Sequence, residues 1–430
     1  MMNYPKKKQL KDSLPTVGRR RFLKTSLIGG VSFLCLPMAG NSFMDKKGRN
    51  GYQLSLDSPT RLFDGKTCWS HPRAGIIPGT GNSGLPQVVM TMNSLDLSGN
   101  DVFKGMYGMK TTDLGKNWTP PEEIDSLAPR HEIIDGVKLI LAVCDFWPCW
   151  HKASKTILGT GNTAVYTPDW RVPSPRLRHT SYSTYNQKTG NWDSWQKLEL
   201  PDKDKFYNSG AGCAQRFDME DGTILLPISF TAIDGTITRT TVHKCSFDGK
   251  TLKYLEHGTV LETDVPRGLY EPSLAYFKNN YFLTMRNDKN GFVARSKDGL
   301  NFDKYVPWKF DDGTDLGSYN TQQHWVAHSN GLFLVYTRRG AGNDHVFRHR
   351  APLFMAQVDP ENLCVVRETE QILVPERGAR LGNFGVTNVS PDETWVTVSE
   401  WMQPAGVEKY GSDGSVFVAR IHWDKPNMLF

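Results

Sequence analysis

The sequence predicts an all-β protein closed into a β-propeller, and three observations carry that prediction. The segment Thr111-Thr112-Asp113-Leu114-Gly115-Lys116-Asn117-Trp118 fits the Asp-box pattern Ser/Thr-x-Asp-x-Gly-x-x-Trp without error, and weaker copies stand at residues 296–302, 246–249 and 390–395. Short apolar runs are spread evenly and bounded by Gly, Asn, Asp and Pro, as strands at turn-rich spacing should be. No segment beyond the N-terminal leader carries an amphipathic helical stripe.

An Asp box is a hairpin tip. The carboxylate accepts backbone N–H groups two or three residues on, Gly supplies a positive φ, and the aromatic side chain folds back onto the sheet. Its aspartates are structural and are set aside from the candidate site. The intervals between Asp113, Asp248, Asp298 and Asp392 are 135, 50 and 94 residues. They read as three, one and two units of roughly 45–50 residues, the size of one four-stranded blade.

Strands are read at residues 87–92, 138–143, 223–228, 281–285, 332–336 and 394–398. At roughly 50 residues per blade the chain fits seven blades, with six plus long loops as the alternative. Closure removes sheet edges and gathers the strand-connecting loops at one axial face, where a site belongs.

The first 42 residues read as a leader. Arg19-Arg20-Arg21-Phe22-Leu23-Lys24 precedes the apolar stretch 25–39, which resembles a twin-arginine export signal cleaved near residues 39–42. The stretch is short and Gly-rich for a membrane span, and the segment around Cys35 is a poor lipoprotein box, so no membrane anchor is expected. The mature domain, residues 43–430, is then expected in the periplasm or outside the cell, with the Tat export machinery as a partner.

The leader also explains the charge. The chain carries a formal +6, but residues 1–42 hold eight Lys/Arg against one Asp, a net of +7, which leaves −1 for residues 43–430. The basic balance belongs to the address, and a nucleic-acid role loses its support. Six cysteines remain after Cys35, with Cys144 and Cys149 near neighbours that an oxidising compartment could pair or leave reduced. No CxxC pair is present, and Asp344 beside His345 and His349 is too sparse a ligand set, so neither metal nor cofactor is expected.

The loop before the first strong strand reads Cys68-Trp69-Ser70-His71-Pro72-Arg73-Ala74-Gly75-Ile76-Ile77-Pro78. A second run reads Tyr270-Glu271-Pro272-Ser273, with Arg286 after the strand at 281–285 and an Asp box beyond it. This order resembles the sialidase-like propellers, in which an arginine motif, a strand and an Asp box open the first blade and a Glu-Pro pair precedes a second arginine. The resemblance implies that Arg73, Glu271 and Arg286 bind substrate, although the spacing after Arg73 is longer than in that family and no third-arginine and tyrosine pair stands in the expected context. Inter-blade salt bridges are the competing reading for both arginines.

Histidines crowd the polar loops instead, at His71, His151, His179, His324, His345 and His349. Sialidase chemistry uses a tyrosine with carboxylate help and needs no imidazole. Histidine, tyrosine and arginine suit β-elimination at a uronic acid, in which a cation neutralises the carboxylate, a base takes the C5 proton and an acid protonates the group leaving C4. In layout the chain resembles propeller polysaccharide lyases acting on ulvan or rhamnosyl-glucuronate ends. The candidate catalytic group is His151, Tyr207 and Arg216, with His71, Arg73, Glu271, Arg286, His324 and Arg339 as substrate-binding residues. Tyr207 could equally be an inter-blade hydrogen-bonding residue, and the run from His345 to Arg350 could simply brace a long loop.

The expected function is degradation of an acidic oligosaccharide by elimination at a terminal uronate, by lyase or dehydratase action. The alternatives are an exo-sialidase or related glycosidase and a non-catalytic glycan-binding propeller. Replacing both Arg19 and Arg20 by Lys is expected to retain the precursor in the cytoplasm, as judged by cell fractionation, while the mature domain keeps its activity. Normal export of that variant would overturn the leader assignment.

Overall fold

The computed structural model describes residues 51–98 and 101–430, and the leader expected at residues 1–42 lies outside them. Among the described residues six antiparallel sheets succeed one another along the chain, and each of the six strand readings from sequence falls in a different one.

Blade I is built from Thr67–Ile77, Gln87–Asp96, Val102–Thr111 and Glu122–Glu123. Blade II uses Val137–His151, Thr156–Tyr166, Thr180–Asn186 and Asn191–Trp192, with Arg130–Ile134 added beside its long first strand. Blade III comprises Asn208–Gly210, Ile224–Thr231, Arg239–Phe247 and Leu252–His257, and blade IV Tyr270–Phe277, Asn280–Arg286, Gly291–Ser296 and Val306–Pro307. Blade V has His324–His328, Gly331–Tyr336, Leu353–Asp359 and Cys364–Val365. Blade VI joins both ends of the domain: Phe384–Ser390, Glu393–Ser399 and Ser415–Trp423 are completed by Tyr52–Arg61, which pairs from Tyr52 with Trp423 to Arg61 with Ser415.

The count is therefore six, not seven. The 135 residues between Asp113 and Asp248 hold two blades with long loops rather than three compact ones. Asp392 misled in another way: it lies in the hairpin between the first and second strands of blade VI, whereas Asp113, Asp248 and Asp298 lie between third and fourth strands. The box geometry is as expected at the strong copies. Gly115 donates its N–H to Thr111 Oγ1 at 2.9 Å with φ 78°, and Asn117 donates to Asp113 Oδ1 at 2.9 Å. Two further turns of this kind went unread. Asn186 accepts the N–H groups of Lys188 and Thr189 in blade II, and Asp359 those of Glu361 and Asn362 in blade V. Blade VI cannot have one in this place, because its fourth strand comes from the other end of the domain.

Each blade buries its faces against both neighbours. Val88, Met90 and Trp69 of blade I pack on Val389, Trp395 and Val416 of blade VI. Leu225 and Val242 of blade III meet Leu283 and Met285 of blade IV, and Val335 and Met355 of blade V meet Val396 and Phe417 of blade VI. Residues recurring every second position on central strands supply this apolar content. The six described cysteines are free thiols.

Blade III also buries an uncompensated imidazole. His243 is fully buried among Phe206, Tyr254 and His257, and neither ring nitrogen has a hydrogen-bond partner. Burial, then His257 and Lys205, pull its pKa down to about 3. A depressed folded-state pKa means that the unfolded chain binds the extra proton between pH 6.5 and about 3, so this contribution to stability is intact above pH 6.5 and is lost as pH falls. Urea unfolding across that window is expected to lose stability less steeply in His243→Leu, by about 1.4 kcal/mol per pH unit. An unchanged slope would show that His243 does not titrate between the two states.

Candidate active site

In an up-and-down blade the starts of first strands and the ends of second strands share one face, and the hairpins joining first to second strands lie on the other. Glu271 opens the first strand of blade IV, Arg286 closes the second, and Arg350 and Arg380 precede strands of blades V and VI. These residues therefore gather on the face opposite the Asp boxes.

Three bulges shape the site. The first strands of blades I, II and IV each break register near the axis, between Ser70 and Arg73, Cys144 and Trp147, and Tyr270 and Ser273. Each bulge contains a residue at positive φ: His71 at 54°, Asp145 at 50° and Glu271 at 50°. Non-glycine residues in this region are strained by about 1–3 kcal/mol each and collect where surrounding structure forces a functional geometry. Cys213, Asn320, Arg348 and His349 share the left-handed region in the neighbouring loops.

The bulges aim charge at the axis. Arg73, fully buried, reaches Asp145 Oδ1 at 3.0 Å and Gln322 Oε1 at 3.2 Å, and stacks 4.7 Å over Trp147. His71 Nε2 lies 3.3 Å from the same carboxylate oxygen. Burial works to raise the Asp145 pKa, but His71 and Arg73 outweigh it and hold it below the usual carboxylate range. Burial, against the pull of Asp145, keeps His71 below an ordinary imidazole.

A second lobe spans blades IV and V. Arg286 is ion-paired with Glu271, donates to Asn320 Oδ1 at 3.0 Å, and lies 4.4 Å over the ring of Tyr270. Burial works against its charge, yet Glu271 and Tyr270 hold its pKa above the ordinary guanidinium value. Arg350 donates through Nε to the Asn320 carbonyl at 3.0 Å and makes no ion pair with a carboxylate among the described residues. Burial, Arg286 and Arg380 push its pKa well down. Buried polar atoms without partners surround the same axis: Nε of Arg73, Arg286 and Arg380, Nε2 of His324 and Nε2 of Gln322. A guanidinium excluded from water and lacking a counter-charge, as at Arg350 and Arg380, is costly, and an anion with several oxygen acceptors would offset that cost.

A hydrogen-bonded chain flanks that lobe. Tyr319 Oη lies 2.6 Å from His349 Nδ1, and His349 Nε2 lies 3.3 Å from Asp344 Oδ1. Tyr319 immediately precedes Asn320 and His349 immediately precedes Arg350, so both are one residue from the Arg350–Asn320 hydrogen bond.

The structure does not bring His151, Tyr207 and Arg216 together. His151 ends the first strand of blade II, on the Asp-box face, where Nδ1 meets Ser154 Oγ at 2.7 Å and Nε2 meets the Gly222 carbonyl at 3.0 Å. Arg216 is ion-paired with Asp218 at 2.8 Å and donates to the carbonyls of Leu158 and Cys149 at 2.7 and 3.1 Å, tying blade III to blade II. With their polar groups already engaged, both side chains brace blades. Tyr207, half-buried, precedes the first strand of blade III and so lies toward the arginine face.

His71, Arg73, Glu271 and Arg286 do converge on the axis. His324 lies beside them, fully buried between Trp147 and Phe384 with Nδ1 2.7 Å from Ser273 Oγ, and burial holds its pKa well below 6.5. Arg339 stands further out, 4.7 Å over the Tyr319 ring and bonded to the Lys289 carbonyl. Sequence reasoning missed Asp145, Tyr319 and Arg380, and placed His349 and Arg350 only in a run read as a brace for a long loop. No local motif marks Asp145 or Arg380: Arg73 and His71 lie 72 and 74 residues from Asp145, and Arg380 meets Gln403, Trp401 and Phe347 in separate loops.

No protein-family model matches the sequence, and no curated protein matches it. Among solved structures, the fold is similar to a protein of unknown function from Dyadobacter fermentans DSM 18053, at 15% identity and TM-score 0.59, covering 86% of this chain and 99% of that one. It is similar to the NanB sialidase of Streptococcus pneumoniae at 10% identity and TM-score 0.56, covering 85% and 70%. The Trypanosoma rangeli sialidase matches at 12% identity and TM-score 0.52, with 86% of this chain covered and 59% of that one, so the chain spans about three-fifths of that protein's length.

If His151 is a brace, His151→Ala should lower the melting temperature while the folded variant keeps wild-type turnover and ligand affinity, measured below its transition. A variant with unchanged melting but lost turnover would return His151 to the catalytic group. In fold, the chain is a sialidase-like six-bladed β-propeller.

Proposed function

We propose that the protein binds the terminal uronate of an acidic oligosaccharide at the axial arginines and removes the group at C4 by β-elimination. The observation that carries the reading is the pair of lobes on the axis, with Arg350 buried beside the Arg286–Glu271 pair and holding no carboxylate of its own. Arg286 and Arg350 would hold the sugar carboxylate and draw off its charge, which acidifies the C5 proton.

Tyr319 and His349 supply the proton chemistry. With its own proton passed to His349, Tyr319 takes the C5 proton; the C5–H electrons form the C4–C5 double bond, the C4–O bond breaks, and the proton is delivered to the departing oxygen. The products are a 4,5-unsaturated uronate and either an alcohol or water, so lyase and dehydratase outcomes differ only in what occupied O4. Asp344, 3.3 Å from Nε2, orients the His349 ring.

The second reading is hydrolysis, favoured by two carboxylates on the axis, Asp145 and Glu271, in a sialidase-like fold. Glycoside hydrolysis usually starts from one protonated carboxylic acid. His71 and Arg73 hold Asp145 below the usual carboxylate range and Glu271 is ion-paired with Arg286, which counts against the two-carboxylate form of hydrolysis, while a tyrosine-based hydrolysis would fall to Tyr270 beside Arg286 and Glu271. A twin-arginine leader would place the enzyme in the periplasm or outside the cell, where such oligosaccharides arrive.

On ulvan-type or rhamnosyl-glucuronate oligosaccharides the enzyme is expected to generate absorbance near about 235 nm from the conjugated double bond. Tyr319→Phe should cost about 10²–10⁴ in turnover with binding retained. Saturated sugar products would instead identify a hydrolase, and saturable binding without any product a binding module.

A further inference from the structure

The cationic surface does not end at the carboxylate clamp. Arg380 is buried, donates to Gln403 Oε1 at 3.0 Å, and lies 4.5 Å over the Trp401 ring and 5.2 Å over Phe347. Its Nε–H has no hydrogen-bond partner, and it makes no ion pair with a carboxylate among the described residues. Asp101 is the acidic group whose field reaches it, opposed by the charge of Arg348. Arg348 is exposed, sits at φ 59° and stacks 5.0 Å from the same Phe347 ring, which is itself 44% exposed. Two guanidinium groups are thus held against one exposed aromatic ring without a paired carboxylate.

Like charges gathered in this way repel, and the left-handed backbone at Arg348 adds strain. Neither Arg350 nor Glu271 relieves them, since Glu271 is engaged by Arg286 and Arg350 is another cation within the field of both. An oxyanion between Arg348 and Arg380 would relieve all three arginines at once.

We propose that this lobe is a second oxyanion subsite, which binds an anionic group on the sugar next to the uronate held by Arg286 and Arg350. The inference rests on the uronate reading of the clamp and adds the substrate class: an oligosaccharide with anions on two successive residues. A sulfate ester and a second carboxylate present the same acceptor chemistry to a guanidinium pair.

The test is calorimetric and needs no turnover. Three disaccharides share a uronate and differ in the neighbouring sugar, which is neutral, sulfated or a second uronate. The wild-type protein is expected to bind at least one doubly anionic probe about tenfold more tightly than the neutral one, the scale of one charge-assisted hydrogen bond. The affinity ranking of the sulfated and diuronate probes identifies the preferred anion. Arg348→Gln, an exposed change that leaves folding intact, should erase the gain while leaving affinity for the neutral-neighbour probe unchanged. Arg380→Gln should do the same, with its melting temperature recorded because it is buried. Equal affinity for all three probes, or an Arg348→Gln loss common to all three, would overturn the second subsite and leave the clamp standing. Failure of every uronate probe to bind the wild type would overturn the clamp reading, and the second subsite with it.

Discussion

Everything in this molecule depends on ring closure. A twisted four-stranded sheet buries neither of its faces alone, and each blade here covers its faces only because two neighbours press on it. The ring is closed by Tyr52–Arg61, which runs along Ser415–Trp423 as the outermost strand of blade VI. That pairing joins the two ends of the domain, so the entropy of a closure spanning the whole chain is offset by backbone hydrogen bonds and by the cluster that Tyr52 shares with Phe333 and Trp423.

Closure also creates the environment in which buried arginine is tolerable. On the axis the first strands of six blades come together, and a guanidinium rooted on one can reach acceptors on several others. Arg73 from blade I meets a blade II carboxylate, a side chain preceding blade V and the Phe384 carbonyl of blade VI. The bulges at His71, Asp145 and Glu271 are what turn these side chains inward, since a regular strand would alternate them between blade interfaces. Strain on the backbone and unrelieved charge thus sit together, which is the combination expected of a binding site and not of a core.

The contrast between the two faces is equally physical. On the Asp-box face, Asp113 and Asp298 accept their own turns' N–H groups, and His151 and Arg216 have protein partners at their ring or guanidinium nitrogens. On the arginine face, polar atoms of Arg73, Gln322, His324, Arg286 and Arg380 remain without partners. Unpartnered buried atoms occur elsewhere too, as at His243, but on the arginine face they cluster around buried guanidinium groups.

How much of this was legible beforehand follows from the range of each interaction. Asp boxes, strand periodicity and turn residues act over a few positions, so the sequence by itself determined the all-β class, the propeller and one strand of every blade. Arg73, Glu271 and Arg286 were legible because they sit in short motifs at bulges and strand ends. The blade count was not, because loop length is invisible to a repeat whose units vary from the 50-residue interval between Asp248 and Asp298 to the two blades held in 135 residues. His151, which follows Trp147 and Trp150, looked catalytic, yet only the fold shows which face a hairpin occupies. Asp145 acquires meaning from partners on blade I, and Tyr319, Arg350 and Arg380 from partners in separate loops that the fold brings together. Their surroundings were decided by tertiary structure alone, because closure sets what is placed around a charge and what it leaves unpaired.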